Sequence, residues 1–251
     1  LGDVYKRQEY HIDMYMQMFY FDIFSQICKY LNNKDKINLS AISVVTDRFK
    51  YKLIFTRFVL EKQIRRLSFC DNFEYLCADC ICDNIPKGAK KLRIECRGMC
   101  KINSELTFLG ENITDLLLYQ CLDRPPEREC YVYQNLQIPN SVASLTTGGS
   151  FNQSIENLIP NSVTHLTLGW YFDKSIKNNI PNSVTHLTLP YRYDNFVSPL
   201  PKSVKCLKLK TGSQPPKNIV LSGKDLINLH DNTGALLRGF VPSSIDKIII
   251  E

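Results

Sequence analysis

Cysteine and histidine are the residues of this chain with the most chemistry to offer. Cys77-x2-Cys80 and Cys96-x3-Cys100 lie close together in the chain, with Cys82 between them. Taken alone, that spacing suits four thiolates around one zinc ion, because Zn2+ takes four soft ligands in a tetrahedron. His165 and His186 form a second pair, with imidazoles able to hold a metal or act as a catalytic base. Nothing else competes. There is no phosphate-binding glycine loop, nucleophile elbow or paired-carboxylate motif, and Asp79, Asp83 and Glu95 have no forced common face.

What these residues can do depends on the elements that position them, and those elements repeat. The chain reads IPNSVASLTTG, IPNSVTHLTLG, IPNSVTHLTLP and LPKSVKCLKLK, with prolines at 139, 160, 181 and 201. A near-constant period of about 21 residues means a stack of one small supersecondary unit rather than a closed globular core. Counted from each proline, +3 is Val142, Val163, Val184 and Val204, and +6 is Leu145, Leu166, Leu187 and Leu207. Position +8 is Thr147, Leu168, Leu189 and Leu209. Apolar +6 and +8 alternate with polar +5 and +7, the pattern of a strand with one buried face. Asn and Ser at +1 and +2 can bond turn backbone and stack as ladders.

The same register extends outward. It predicts nine units, starting at 61, 86, 110, 139, 160, 181, 201, 221 and 242. Each strand is followed by a return segment with apolar residues at −9, −5 and −1, as in Phe151, Ile155 and Ile159 or Cys77, Ile81 and Ile85. This frame decides the chemistry. Cys77 falls at an inward place where a small thiol packs well. Cys80 and Cys82 flank Ile81 and point the other way. The thiols therefore read as packing residues, and no metal or cofactor is expected. His165 and His186 both sit at +5 as repeat residues, sharing the rung with Cys206 one strand on, so they read as a polar surface ladder.

The exposed strand face, +5 and +7, is then the candidate target-binding surface, since curved solenoids use such faces for partners. Its expected contributors are Arg66, Lys91, Arg93, His165, Thr167, His186, Thr188 and Lys208. The basic corner of Arg66, Lys91 and Arg93 points to an acidic contact. Trp170, Tyr171, Tyr191 and Tyr193 follow the strands directly, and exposed aromatics at a rim are good anchors.

Composition narrows the classes further. A net charge of +6 is spread over the chain without a dense basic run, so no nucleic-acid footprint is expected. No apolar run approaches the ~18 residues of a membrane span, and no secretory pattern opens the chain. The ten cysteines are accordingly expected as free thiols in the reducing cytoplasm. Residues 1–13 are set aside as a leader or a translated artefact, the string LGDVYKRQ having the look of a sequencing adaptor.

Residues 14–60 differ in pattern. Ile23, Phe24, Ile27, Tyr30 and Leu31 form the apolar stripe of one helix, with Asp22 able to cap it. Asp35 opens a second, carrying Ile37, Leu39 and Ile42; Thr46 or Asp47 caps a third, from Arg48 to about Leu60, carrying Phe49, Leu53, Ile54 and Phe58. Three short helices with tight polar turns make a small bundle.

This order resembles the F-box: an opening apolar segment at Phe19 to Phe21, a first helix ending Tyr30-Leu31, a polar turn, Leu39-x-x-x-Ser43 and a third helix. The usual Leu-Pro is replaced by Tyr20-Phe21, and Phe49 stands where a Trp is common. Phe151 to Gly169, FNQSIENLIPNSVTHLTLG, is similar to the FNIP repeat, a leucine-rich-repeat relative found in social amoebae and giant DNA viruses. The whole chain thus resembles F-box and FNIP repeat-containing proteins. The fold expected is α+β: a three-helix F-box-like module over 14–60, then a leucine-rich-repeat-like solenoid over 61–251 with one parallel strand per ~21-residue repeat. The resemblance implies a non-enzymatic substrate receptor in the cytoplasm, the host's if the source is viral. Phe21, Ile23, Phe24, Ile27, Leu31, Leu39 and Ile42 would dock a Skp-type adaptor of a cullin–RING ubiquitin ligase, while the repeats hold a protein target. The alternative is a repeat-only binding protein whose helices merely cap the solenoid.

Overall fold

A computed structural model describes residues 18–78, 85–96, 109–120, 136–190, 193, 200–210, 219–221 and 245–250. Its N-terminal part is helical. Helix α1 covers 18–28, and α2 (Asn33–Ser40) follows after a short turn. Asn32 rather than Asp35 caps α2, its side chain accepting from the Asp35 N–H at 3.0 Å. Helix α3 (Val44–Asp47) starts at a reciprocal capping box between Ser43 and Thr46, an arrangement that satisfies two orphan amides at once. It tightens into a 3-10 turn at Arg48–Tyr51 and stops.

The expected third helix over 48–60 therefore does not form. Beyond Lys52 the chain is extended: Leu53 and Phe55 are buried, while Ile54 and Phe58 stay 53% and 48% exposed. That alternation is the period of a strand, not of a helix. Buried Lys36 fastens α2 to this segment, its Nζ donating to the Ile54 carbonyl at 2.9 Å.

The rest is one ten-stranded sheet. In chain order the strands are β1 (Val59–Leu60), β2 (Tyr75–Ala78), β3 (Lys91–Cys96), β4 (Asp115–Gln120) and β5 (Ser144–Thr147), then β6 (His165–Thr167), β7 (His186–Pro190), β8 (Cys206–Lys210), β9 (Ile219–Leu221) and β10 (Lys247–Ile250). A short helix α4 (Glu61–Ile64) links β1 to the turns before β2. Neighbours pair in parallel from β1 to β8 and on to β10, with β9 antiparallel at the far edge. Leu116, Leu145, Leu166, Leu187, Leu207 and Ile248 meet as successive Cα partners and are all essentially buried. Each such leucine contributes about 1.5–3 kcal/mol of burial.

The proline turns show why the repeat carries its consensus. The amides of Val142, Val163, Val184 and Val204 each donate to the carbonyl of the proline that opens their repeat, at 3.1 Å. Ser141, Ser162 and Ser183 each donate to a carbonyl of the preceding repeat, Ile113, Val142 and Val163, at 2.8 Å. Those serines are the ladder that the sequence suggests. The next serine, Ser203, has a buried Oγ without a partner, just after the Pro181-to-Pro201 step, which is one shorter than the two before it. Asn157 and Asn178 sit at φ 55° and 58°, a left-handed turn that Asn tolerates better than most residues.

Two expected units fail. At 61 the chain forms α4 and turns rather than a strand, and its place in the sheet is taken by β1 and β2. Ile64 and Leu67 have a spacing that fits a helical turn as well as +3 and +6 of the repeat. Near 221, β9 is antiparallel, and β10 pairs directly with β8, Lys247 opposite Cys206. Among the described residues no parallel strand intervenes there. Residues 222–244 lie outside those described.

Candidate interaction surfaces

The outward positions of the central strands form a lattice of small and polar side chains. His165 and His186 are Cα partners on β6 and β7. Their rings stack 4.2 Å apart at 9°. Each Nδ1 lies 2.9 Å from the hydroxyl of the threonine before it, Thr164 or Thr185. Burial first, and His165 second, hold the His186 imidazole below the usual histidine range. Thr167 and Thr188 follow as the next partnered pair on the same face, and Lys208 continues that row on β8.

The N-terminal corner is less basic than its sequence. Lys91 Nζ lies 3.7 Å from an Asp115 carboxylate oxygen and 5.1 Å from the centre of the Tyr75 ring. Arg93 Nε is 2.8 Å from Glu95 Oε1, too far off the N–H axis to be a hydrogen bond, and the guanidinium stacks 4.2 Å from the Tyr119 centroid. Each cation thus has a carboxylate and an aromatic ring beside it. Arg66 is not on the sheet at all; it lies exposed in the turn after α4. An acidic partner at this corner would meet Lys91 and Arg93 with these carboxylates already beside them.

The aromatic rim also divides. Trp170 and Tyr171 are 37% and 59% exposed beside the paired glycine turns at the ends of β5 and β6. Tyr193 is buried instead, stacked 6.0 Å from Phe172, which in turn lies 6.4 Å from Phe151. Its hydroxyl accepts from the Ile176 N–H at 3.2 Å and donates to the Lys174 carbonyl at 2.9 Å. It is a core residue, not an anchor. Tyr191 lies outside the described residues.

Cysteine placement corrects a further expectation. Cys77, on β2, is buried but pairs with Arg93 on β3, so it stands on the outward side of the sheet, while Leu76 and Ala78 face the core. Cys80, Cys82 and Cys100 lie outside the described residues, as does the side chain of Cys96. Among the described residues no group of three His, Cys, Asp or Glu side chains is placed to hold a metal ion.

Among the described residues, the N-terminal helices carry many of the exposed large apolar side chains. On α1, Phe24 packs against Phe49 at 5.2 Å, and partly buried Phe21 does the same from the adjacent turn. Leu31 and Leu39 are half-buried, Leu39 packed on the core. These four support the fold. Ile23, Ile27 and Ile42 stay 48%, 50% and 73% exposed. Val44, which the sequence periodicity misses, is exposed too, as are Val45 and, in the opening apolar segment, Phe19 and Tyr20. The signal is there, since α1 carries apolar residues on more than the one face a bundle can cover.

The central repeats match the FNIP repeat. The family model fits residues 134–171, 151–192 and 172–212, less than a third of the chain. No curated protein matches the sequence. Among solved structures, the crystal structure of CroV588, described as a novel circular LRR protein, matches over 59% of this chain at 28% identity with a TM-score of 0.43. This chain covers 22% of the length of that protein. Among the described residues no helix is long and apolar enough to cross a membrane.

Proposed function

We propose that this protein is a non-enzymatic interaction subunit that joins two proteins, in the cytoplasm. The outward face of the repeat sheet holds a target. The apolar face of the N-terminal helices docks a Skp-type adaptor of a cullin–RING ubiquitin ligase, as the resemblance to F-box and FNIP repeat-containing proteins implies. The observation that carries this reading is the double-faced α1. Phe24 and Cys28 are buried against the body, while Tyr20, Ile23 and Ile27 are each about half exposed, at 52%, 48% and 50%. A contiguous apolar face left in water marks an interaction site.

The test is co-purification of the full chain with a recombinant Skp-type adaptor. Ile23→Ser combined with Ile27→Ser should abolish the complex with little change in melting temperature. Failure of the unaltered chain to bind the adaptor would remove the ligase role.

A second reading has its own support. One continuous cluster of buried side chains runs from Phe24 through Phe49 and Phe55 to Ile248, which is what a cap on an open solenoid end requires. On that reading the protein binds a target through its repeats and has no ubiquitin role.

A further inference from the structure

We infer that a second copy of this chain covers the exposed face of α1, the two helices packing antiparallel about a two-fold axis. This goes beyond the adaptor reading and makes the same face a point of competition between two partners.

Spacing along α1 decides what fits this face. Tyr20, Ile23 and Ile27 are exposed, and so is Tyr30 in the turn that closes the helix, its amide donating to the Ile27 carbonyl at 3.1 Å. Steps of three, four and three residues put these four side chains on one stripe, the apolar seam of a helix that pairs with another helix. Buried Phe24 and Cys28 adjoin the stripe on one side. Polar side chains take the remaining arc, where Ser25 Oγ donates to the Asp22 carbonyl at 2.8 Å and Lys29 Nζ to Gln26 Oε1 at 2.9 Å. No charged residue of α1 lies on the stripe.

The stripe reads the same from either end: tyrosine, isoleucine, isoleucine, tyrosine. A two-fold interface sets one patch against itself, so that residue i meets j while j meets i. Turning a second α1 end for end places Tyr20 on the partner's Tyr30 and Ile23 on the partner's Ile27. All four layers then match in kind. The central isoleucines permit the close approach of about 8–10 Å usual for packed helices, and the outer tyrosines can keep their hydroxyls in water. Antiparallel order also opposes the two helix macrodipoles, whereas parallel order would align them.

Tyr30 is 88% exposed, and Phe19 beside the stripe is exposed as well. A fully covered aromatic side chain buries about 150–250 Å², so the two stripes together bury roughly 1,000 Å², the lower limit for a specific interface. The dimer is therefore weak and reversible, with a Kd on the order of 10 μM. A lipid surface fits less well. Helices that lie in the membrane interface carry Lys and Arg along their polar face, whereas the arc here has one cation, Lys29, and one anion, Asp22.

The experiment is sedimentation velocity of the full chain alone, at concentrations on both sides of that Kd. A reversible monomer–dimer equilibrium is expected. Ile23→Ser with Ile27→Ser should weaken it about 100-fold, since both isoleucines are lost from both copies, and Tyr30→Ser alone about ten-fold. Trp170→Ser with Tyr171→Ser, at exposed aromatics on the strand rim, should leave it unchanged. Retained melting temperature establishes that each variant folds. A chain that stays monomeric throughout overturns the proposal, as does a dimer that survives the isoleucine changes or disappears with Trp170 and Tyr171. A photo-reactive benzophenone side chain in place of Tyr20 should cross-link near the partner's Tyr30; cross-linking to the partner's own position 20 overturns the antiparallel order. Binding of a monomeric chain to vesicles of phosphatidylcholine and phosphatidylserine assigns the face to lipid instead. No adaptor is present in these measurements, so the dimer and the adaptor reading fail separately. Where a Skp-type adaptor does bind, adding it should convert the dimer to a one-to-one complex, and a complex holding two copies of this chain overturns the competition.

Discussion

Thr147 occupies a position where the neighbouring repeats carry leucine, so Thr147→Val restores the apolar consensus and ought to stabilise the protein on sequence grounds. The structure predicts the opposite. Thr147 is 3% exposed, and its Oγ1 accepts from the buried Gly169 N–H at 2.9 Å. Gly169 lies just beyond β6, so that amide depends on the hydroxyl rather than on a strand partner. Valine keeps the shape and removes the acceptor. Exchanging hydroxyl for methyl recovers roughly 0.8 kcal/mol of apolar burial. Leaving a buried amide unpaired costs about 1–3 kcal/mol. The net expectation is a loss of about 1 kcal/mol, equivalent to a fall of roughly 2–4 °C in melting temperature for a chain of this size. A solenoid can open locally before it unfolds, so the sharper readout is amide hydrogen exchange at Gly169. Protection there should collapse in Thr147→Val and persist in Thr147→Ser, which keeps the acceptor. Unchanged protection in Thr147→Val, or a stability gain, would refute the reasoning.

Other expectations follow from the same packing. Gly169→Ala should destabilise strongly, because a Cβ there would collide with the Gly148 carbonyl and only backbone movement relieves it; urea unfolding reports it as a lower midpoint. Tyr193→Phe keeps the ring stacked on Phe172 but orphans the Ile176 amide, at a cost of about 1–3 kcal/mol in urea unfolding. Phe24→Ala should cost about 3–5 kcal/mol as a core truncation, whereas Ile23→Ser should change stability by no more than about 0.5 kcal/mol. His186, held low by burial and by His165, takes up a proton less readily in the fold than in the unfolded chain, where the ordinary value is 6.5. Its contribution is therefore complete above that value and declines as pH falls below it. Urea midpoints between neutral and mildly acid pH should fall slightly less for His186→Gln than for the parent, and parallel curves would remove this role.

Seven strands are legible in the sequence because a proline-anchored ruler and a strict apolar alternation agree. Lys91, Asp115, Ser144, His165, His186, Cys206 and Lys247 each open a strand at the expected +5 place. The ruler fails where another pattern shares its spacing. Ile64 and Leu67 satisfy a helical turn. The interval from Pro201 to Pro242 has the length of two periods, although only one strand step separates β8 from β10. Tyr193 escapes the register for a related reason. The buried aromatic row keeps an even step through Phe151, Phe172 and Tyr193, while the step from Pro181 to Pro201 is one shorter. Counting back from Pro201 therefore assigns the inward place to Arg192. For the sheet face, residue types are readable but pairing is not, since the partners of Lys91 and Arg93 depend on strand register and rotamer.

Capping does not by itself exclude the proposed docking, because the buried Phe24 and Cys28 and the exposed Ile23 and Ile27 lie on different faces of α1. This bears on how the docking is tested. The helical segment is continuous in packing with the first strands: Phe55 stacks 4.4 Å from Phe73 and lies 5.8 Å from Phe69, and the Phe55 amide donates to the Asn72 carbonyl at 2.9 Å. Cutting the chain near residue 60 would strip Phe55 of Phe69 and Phe73, against which it packs, and expose its buried ring. A fragment so made would be sticky through its core face, and adaptor capture by it would report that face as readily as Ile23 and Ile27. Only the intact chain, altered at its exposed isoleucines, separates a docking surface from a broken core.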